Sequence, residues 1–444
     1  MKLSIIIPVY NTWTYLIKNL KSLKPNKTLF DFEVIIIDDK SLKVPIKTIQ
    51  KLKSIKNIKF IFLPKNYGPG YARNIGLKKS LGKYVWFVDS DDLLNEKWHL
   101  TFYNFLKLQK NSDTVVFKSK IYKNLNLFEE DHFHKIIPYK QITIEKAFKK
   151  NLSYLNNFNS TIWSYWFKKN IIKKNKIYFN NISHYEDNIF MSKFFFYSKS
   201  ITKIPETCYT HCRRGNSVSS YQNVLKLKKN NVIFEILIAL YESFILLKKK
   251  DNNNKKIYFK KYLIFKISRI IYDFASYYLI YNYNNSDIFL KKIDIEWKNT
   301  IKKIKKKINK NNSFIQSASD FLLFVSNSRN LLFNKYFLNY GVNLKLYHGT
   351  FVIHCYSPYS IAWAKILERK NLKFLGFIDI SENGFKDRFM NKYVHKNLDT
   401  INNKIDYVFI INRRKKICNQ IKENYLSNGF NKKNIFPIHL TDKY

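Results

Sequence analysis

Arginine, acidic residues and cysteine are all scarce in this chain of 444 residues, and no long uninterrupted apolar run occurs in it. Nine arginines are few for a nucleic-acid specialist, because the planar guanidinium is the better reader of phosphates and bases. Four cysteines (Cys208, Cys212, Cys355 and Cys418) do not make a disulfide framework in a chain of this length. Cys208-x-x-x-Cys212, with His211 between, lacks the second ligand pair that a structural zinc site needs. The longest apolar stretch, Val232 to Leu247, is interrupted by Glu235 and Glu242 and is too short to cross a bilayer. The first strand is not preceded by a charged-then-apolar leader with a small-residue cleavage site. These absences predict a cytoplasmic protein.

What is abundant points elsewhere. A hydrophobic fraction of 45%, with 37 Phe and 32 Tyr, supplies ample core, and the length predicts two or three domains. Lysine and arginine total 79 against 32 acidic residues, a net +47. Such a charge suits a polyanionic partner: a phosphate-bearing substrate, an anionic membrane surface or nucleic acid. The saturation with Lys, Asn and Ile also fits a base-composition bias of the source genome.

The chemistry concentrates around Val85-Trp86-Phe87-Val88-Asp89-Ser90-Asp91-Asp92. The apolar half predicts a strand buried on both faces, and the acids follow at its end. Strand alternation would put Asp89 and Asp91 on one side, where a hard divalent cation relieves their repulsion. The same acids also fit a solvated turn, or an N-cap cluster before Leu93-Leu94. Upstream, Leu3 to Val9 reads as a strand ending in Pro8-Val9-Tyr10-Asn11, and Phe32 to Ile37 as one ending in Asp38-Asp39-Lys40-Ser41. Ile58 to Leu63 reads as a third. Continuously apolar strands alternating with helices predict a parallel sheet, with ligands beyond its carboxyl ends. Between the third and fourth strands, Gly68-Pro69-Gly70 predicts a turn, and a helix from Ala72 onward carries Arg73 in its first turn, a local anion site.

Taken in order, Ile-Ile-Pro-Val-Tyr-Asn, Ile-Ile-Asp-Asp-Lys-Ser, Asn-Tyr-Gly-Pro-Gly-Tyr-Ala-Arg-Asn-Ile-Gly and Val-Asp-Ser-Asp-Asp resemble the motif set of family 2 glycosyltransferases with the GT-A fold. The segment Thr161 to Lys169, then Ser183-His184-Tyr185-Glu186-Asp187-Asn188, resembles that family's acceptor-side stretch. Tyr209 to Ser219 is similar to its aromatic-x-aromatic-Arg ending. The likeness covers about residues 1–220. It implies that Pro8 and Tyr10 line a nucleoside pocket, and that Asp39 accepts a hydrogen bond from uracil. Arg73 would hold the base or the diphosphate, and Asp89 with Ser90 would contact the donor. Asp91 would ligate Mn²⁺ or Mg²⁺, and Asp187 would be the general base, with Glu186 beside it as the alternative. Where that family usually has Gly after the paired acids, this chain has Lys40. The implied reaction moves a sugar from a nucleoside diphosphate, UDP being the expected one, to a glycan or lipid-linked acceptor in bacterial surface-polysaccharide synthesis. His211 reads as a packing or acceptor-contacting side chain, and Trp163, Tyr165 and Trp166 as core more than as a sugar platform.

The remainder predicts two further parts. Helical periodicity dominates a basic connector over 223–313, where Ile301, Ile304 and Ile308 line a Lys-rich segment suited to an anionic membrane surface. From 314 to 444 an α/β pattern returns, with strands at Thr350–His354, Leu372–Asp379 and Asp406–Ile411 and a helix at Tyr359–Arg369. It resembles a small Rossmann-like module, but Cys355-Tyr356-Ser357-Pro358-Tyr359-Ser360 has no glycine in the phosphate loop. A structural or docking role is expected there. The chain therefore reads as a GT-A domain over 1–222, the connector, and a Rossmann-like domain. Sugar nucleotidyltransferases, which share a related sheet, need a Gly-rich loop with Arg soon after the first strand, and Pro8-Val9-Tyr10-Asn11 does not supply it. A basic scaffold without catalysis would leave the carboxylate clusters unexplained.

Overall fold

Leu3, Ile5, Ile6, Ile7 and Val9 are all fully buried in β1 (Leu3–Val9), as a run apolar on both faces requires of a central strand. The computed structural model describes residues 1–212 and 348–439, together with Phe259. Within those spans it omits 20–28, 54–56, 109–110, 124–125, 131–136, 152–160, 183–184, 369–371, 380–384, 387–391, 402–403 and 413–414. The expected connector over 223–313, apart from Phe259, and the Arg213 to Ser219 ending lie outside the described residues.

The described residues fall into two compact units, each with its own sheet. In the first, β2 (Phe32–Asp38) and β4 (Tyr84–Phe87) flank β1 in parallel, and β3 (Ile58–Phe62) extends the edge beyond β2. Helices α1 (Trp13–Asn19), α2 (Ile46–Lys53) and α3 (Pro69–Lys79) make the crossovers. Helix α3 begins earlier than Ala72 because Pro69 fits the first turn, where its missing N–H costs nothing. Gly76 lets it lie close on the sheet, since a Cβ there would come within 2.4 Å of Ile6.

Past β4 the sheet becomes mixed. β5 (Leu93–Leu94) and α4 (Trp98–Lys107) lead to β6 (Thr114–Lys123), with β7 (Asn126–Glu130) as its antiparallel partner. Then come β8 (Gln141–Thr143), α5 (Ile144–Asn151), β9 (Tyr165–Lys168), α6 (Lys169–Lys174), α7 (Glu186–Tyr197) and β10 (Ser200–Cys212). The order across the sheet is β3-β2-β1-β4-β9-β6-β10-β5, with β9 antiparallel to both its neighbours. This is the mixed α/β sheet of a GT-A fold. Trp163, Tyr165 and Trp166 are all buried, and Trp166 meets Phe102 edge-on at 4.7 Å, so these rings build core rather than a sugar platform.

At the amino ends of the strands, buried Glu33 ties three segments together. It accepts from Ser4 Oγ (2.7 Å), Leu81 N (2.6 Å) and Lys59 Nζ (2.8 Å). Burial alone would raise this carboxyl, but Lys59, Ser4 and the Leu81 N–H hold it below its usual value.

The second unit contains β11 (Gly349–His354), α8 (Pro358–Glu368), β12 (Leu372–Ile378), β13 (Phe385–Lys386), β14 (Tyr393–His395), β15 (Tyr407–Asn412), α9 (Lys415–Ser427) and β16 (Ile435–His439). Its order is β13-β14-β12-β11-β15-β16, parallel except for β13. The chain reverses its direction of winding between β11 and β15, a doubly wound layout as expected from the strand pattern. Val352, Val408, Ile410, Cys418 and Tyr425 lie in its core.

Candidate active site

The carboxyl ends of β1, β2 and β4 form one edge, and the polar residues that follow them hold one another in place. Asp38 turns inward, accepting from Trp13 Nε1 (2.6 Å) and Ser41 N (2.9 Å). Asp39 faces the next loop, its two oxygens accepting from Tyr67 N (2.8 Å) and Gly68 N (2.7 Å). Burial raises the Asp39 carboxyl, and those two N–H groups oppose the rise. Each of its oxygens keeps a second lone pair, so the contact implied for a nucleobase is compatible with this role. Pro8 sits within β1 opposite Ile37, and Tyr10 is 48% exposed at the mouth of the edge. Lys40 has φ 65°, a left-handed conformation that explains why glycine suits that position.

The strand before the acids ends at Phe87, and Asp92 N donates to Asp89 O at 3.2 Å. Asp89 to Asp92 is therefore a turn, and the expected strand alternation of Asp89 and Asp91 does not apply. Ser90 is buried and meets Thr12 Oγ1 at 2.6 Å, which fastens the turn to the start of α1. Across from it, α7 opens with Glu186 and Asp187 after Tyr185, whose φ of 65° reverses the chain into the helix. Arg73 joins the two. Its Nη2 donates to Asp89 Oδ1 (2.9 Å) and its Nη1 to Glu186 Oε1 (2.8 Å), so acids 16 and 113 residues away share one cation. Burial would lower the pKa of this guanidinium, but Asp89 and Glu186 more than offset that and keep it charged. Gly70 permits the approach, because a Cβ there would sit 3.0 Å from Asn180 O and 3.3 Å from Glu186 Cγ. Asn74 clamps the loop leading to α7, donating to Phe179 O and accepting from Phe179 N, both at 2.9 Å.

A family model described as glycosyl transferase family 2 matches residues 4–199. TarP of Staphylococcus aureus (strain N315), a poly(ribitol-phosphate) beta-N-acetylglucosaminyltransferase, is 33% identical over 251 residues, 54% of this chain and 73% of TarP. The chain belongs to glycosyl transferase family 2. An uncharacterized glycosyltransferase of Rickettsia bellii (strain RML369-C) is 45% identical over 108 residues, and the chain covers 14% of its length. The crystal structure of S. aureus TarS 1-349 in complex with UDP-GlcNAc shares the fold at 19% identity, with a TM-score of 0.50 over 76% of this chain and 93% of that one.

Within this family 2 domain, the third acid of the turn forms a network that reading the motifs missed. Asp92 is 3% exposed and accepts from Tyr209 Oη (2.6 Å), His211 Nδ1 (3.0 Å) and Cys212 N (2.8 Å). Burial raises its carboxyl, while His211 lowers it. The antiparallel pairing of Tyr209 with Leu94 delivers this part of β10 to the turn. His211 also stacks on Trp163 (5.6 Å), and Trp163 stacks on Tyr209 (4.5 Å). The only sequence signal was the Tyr209-x-His211 spacing. A buried carboxylate fixing one nitrogen of a partly buried imidazole is the arrangement that orients histidine ligands in metal sites. Among the described residues no three His, Cys, Asp or Glu side chains gather into a metal cage. Such a donor set fits Mg²⁺ or Mn²⁺ held by few side chains plus substrate phosphates better than an all-protein site. No helix among the described residues is long and apolar enough to cross a membrane.

The carboxyl edge of the second unit differs. Cys355 has φ 76° directly after β11, where the first glycine of a phosphate loop would stand. Ser357 and Ser360 occupy the other two glycine positions. Their hydroxyls are 2.8 Å apart, Ser360 N donates to Ser357 Oγ (3.2 Å), and Ser360 Oγ donates to Cys355 O. Asp379, at the end of β12, accepts from Tyr356 N (2.8 Å). The loop is thus held partly by its own serine hydroxyls and partly by the end of β12.

Proposed function

We propose that the first unit transfers a sugar, with inversion, from a nucleoside diphosphate donor to a hydroxyl of a glycan or glycolipid acceptor in surface-polysaccharide synthesis. The observation that carries this reading is Arg73, which brings the Asp89 turn and the Glu186-Asp187 helix start to one place. Departure of a diphosphate and deprotonation of an alcohol need opposite aids within one site. Asp187 accepts from Asn188 N (2.7 Å) and Nδ2 (2.9 Å) through one oxygen, Oδ1. In this proposal Asp187 takes the acceptor proton, worth about 10²–10⁴ in rate. Glu186, held by Arg73, is the less suited base because its charge already serves that pair. Arg73 is buried with both terminal nitrogens engaged, so it aligns Asp89 and Glu186 rather than gripping the donor itself.

Pro8, Tyr10 and Asp39 would receive the nucleoside, and Asp89 with Ser90 the ribose side of the donor. Asp91 and His211, the latter set by Asp92, would hold the cation. When bound, Mg²⁺ or Mn²⁺ supplies charge neutralisation at the diphosphate. In-line attack with one base inverts the anomeric carbon, so an α-linked donor gives a β-linked product. UDP-GlcNAc is the first donor to test, since the TarS complex contains it and TarP is named for that sugar. The experiment is a donor panel assayed with Mn²⁺, with Mg²⁺ and with chelator. Asp91→Ala should lose both transfer and donor affinity, whereas Asp187→Asn should lose transfer alone. Unchanged turnover in Asp187→Asn would move the base to Glu186.

A further inference from the structure

Charge is also concentrated at the opposite edge of the first sheet. Lys83 precedes β4, and Lys168 ends β9, which runs antiparallel to β4 and pairs with its first residue, Tyr84. Lys169 and Lys173 follow in α6, and Lys169 N donates to Lys83 O at 2.9 Å. With Gly82, Asn111 and Asn170, these four lysines line a cavity of about 370 Å³. Among the described residues no carboxylate lines it. Lys168 reaches Asp113 behind the wall at 3.4 Å, while Lys83 and Lys173 meet no carboxylate among the described residues. Lys169 donates to Ser80 O, and burial together with Lys173 lowers its pKa against the pull of Glu33.

Four ammonium groups around one concavity repel each other, and a bound anion removes that cost. Compact ammonium groups on flexible stems suit phosphate as point charges. The volume leaves room for a phosphate with a sugar- or glycerol-sized substituent. The site also lies at the other end of β4 from the donor edge: Lys83 precedes the strand and Asp89 follows it, so its four residues, about 13 Å at ~3.3 Å per residue, stand between them.

We infer that this cavity binds a phosphate mono- or diester group, independently of the donor diphosphate. The inference does not rest on the proposed transfer reaction. The test titrates the full chain with inorganic phosphate and with glycerol phosphate at low salt, by calorimetry, with and without UDP. Saturable binding is expected in both conditions. It should weaken at least tenfold in the Lys83→Gln/Lys173→Gln double variant and stay unchanged in Lys433→Gln, an exposed control in the second unit. Co-sedimentation with phosphatidylglycerol vesicles then separates sources. Vesicle binding lost in the same double variant assigns the cavity to a lipid headgroup, and phosphate binding without vesicle binding assigns it to a soluble phosphate ester. No saturable binding in the parent chain, or equal binding in the double variant, would overturn the inference. UDP affinity and circular dichroism, measured on every variant, show that the fold and the donor edge are intact.

Discussion

At the carboxyl edge of the first sheet, Arg73 is buried between Asp89 and Glu186, and the neighbouring Asp91 and Asp187 are only partly buried. At the carboxyl edge of the second, Ser357 and Ser360 bond each other and Asp379 holds the loop backbone. Both edges lie beyond parallel strands, the usual place for ligands in such sheets. One gathers acids that repel each other unless a cation intervenes. The other sets one carboxylate, Asp379, against a backbone N–H and joins two serine hydroxyls to each other. A shared layout thus leaves function to the side chains placed on it.

The sharpest way to break this contrast is to remove the shared cation. Arg73→Met should cost roughly 3–5 kcal/mol, because it strands Glu186 and Asp89 without their partner. Thermal unfolding should show a large drop, and transfer should fall with it. A variant that kept both its stability and its activity would mean that the two acid clusters do not depend on Arg73.

Acid provides the next contrast, at the amino edges. Glu33 is held below its usual pKa, so it contributes stability above the unfolded value near pH 4.3 and loses it as pH falls through the folded value. Glu33→Gln should lose about 1.5–3 kcal/mol at neutral pH and flatten that part of the acid-unfolding curve. Asp406 does a similar job in the second unit. The Thr350 N–H bond lowers its carboxyl most, against the opposing effect of burial, but its side chain is 32% exposed. Asp406→Asn should flatten the curve less.

Ser357→Ala comes third. It removes the acceptor for Ser360 N at the start of α8, which should cost about 1 kcal/mol by the usual worth of a helix cap. Transfer should be unaffected. A loss of transfer greater than the loss of folded protein would show that the second unit takes part in the reaction.

Much of the first unit could be read from its residues. Buried runs such as Ile5 to Ile7 and Val34 to Ile37 have few alternatives to central strands, and acids after them belong at the ligand edge. The resemblance carried by the motif order also marks Asp187 as the candidate base. What escaped was contact that only tertiary pairing creates. Arg73 looked like a local anion site, because nothing near it in the chain shows a partner 113 residues away. Asp92 looked like one more acid of the cluster, but the pairing of β5 with β10 buries it against Tyr209 and His211. Alternation of Asp89 and Asp91 needs a strand through both, but β4 ends two residues before the first of them.

The smallest effect is expected at Lys40, and its sign is the informative part. Lys40 is exposed and holds φ 65°, a region in which a side chain with Cβ is strained by roughly 1–2 kcal/mol. Glycine would remove that strain but adds conformational entropy to the unfolded chain, roughly 0.5–1 kcal/mol. Lys40→Gly should therefore stabilise the first unit by no more than about 1 kcal/mol, seen as a small rise in melting temperature. In the proposed site the charge of Lys40, beside Asp39, would serve the donor's diphosphate. Donor affinity in Lys40→Gly should then fall while stability rises, with Lys40→Arg keeping the affinity. If glycine raised stability and left donor binding unchanged, the lysine would be a compositional accident, and the first edge would owe its charge selectivity to its acids and their cation alone.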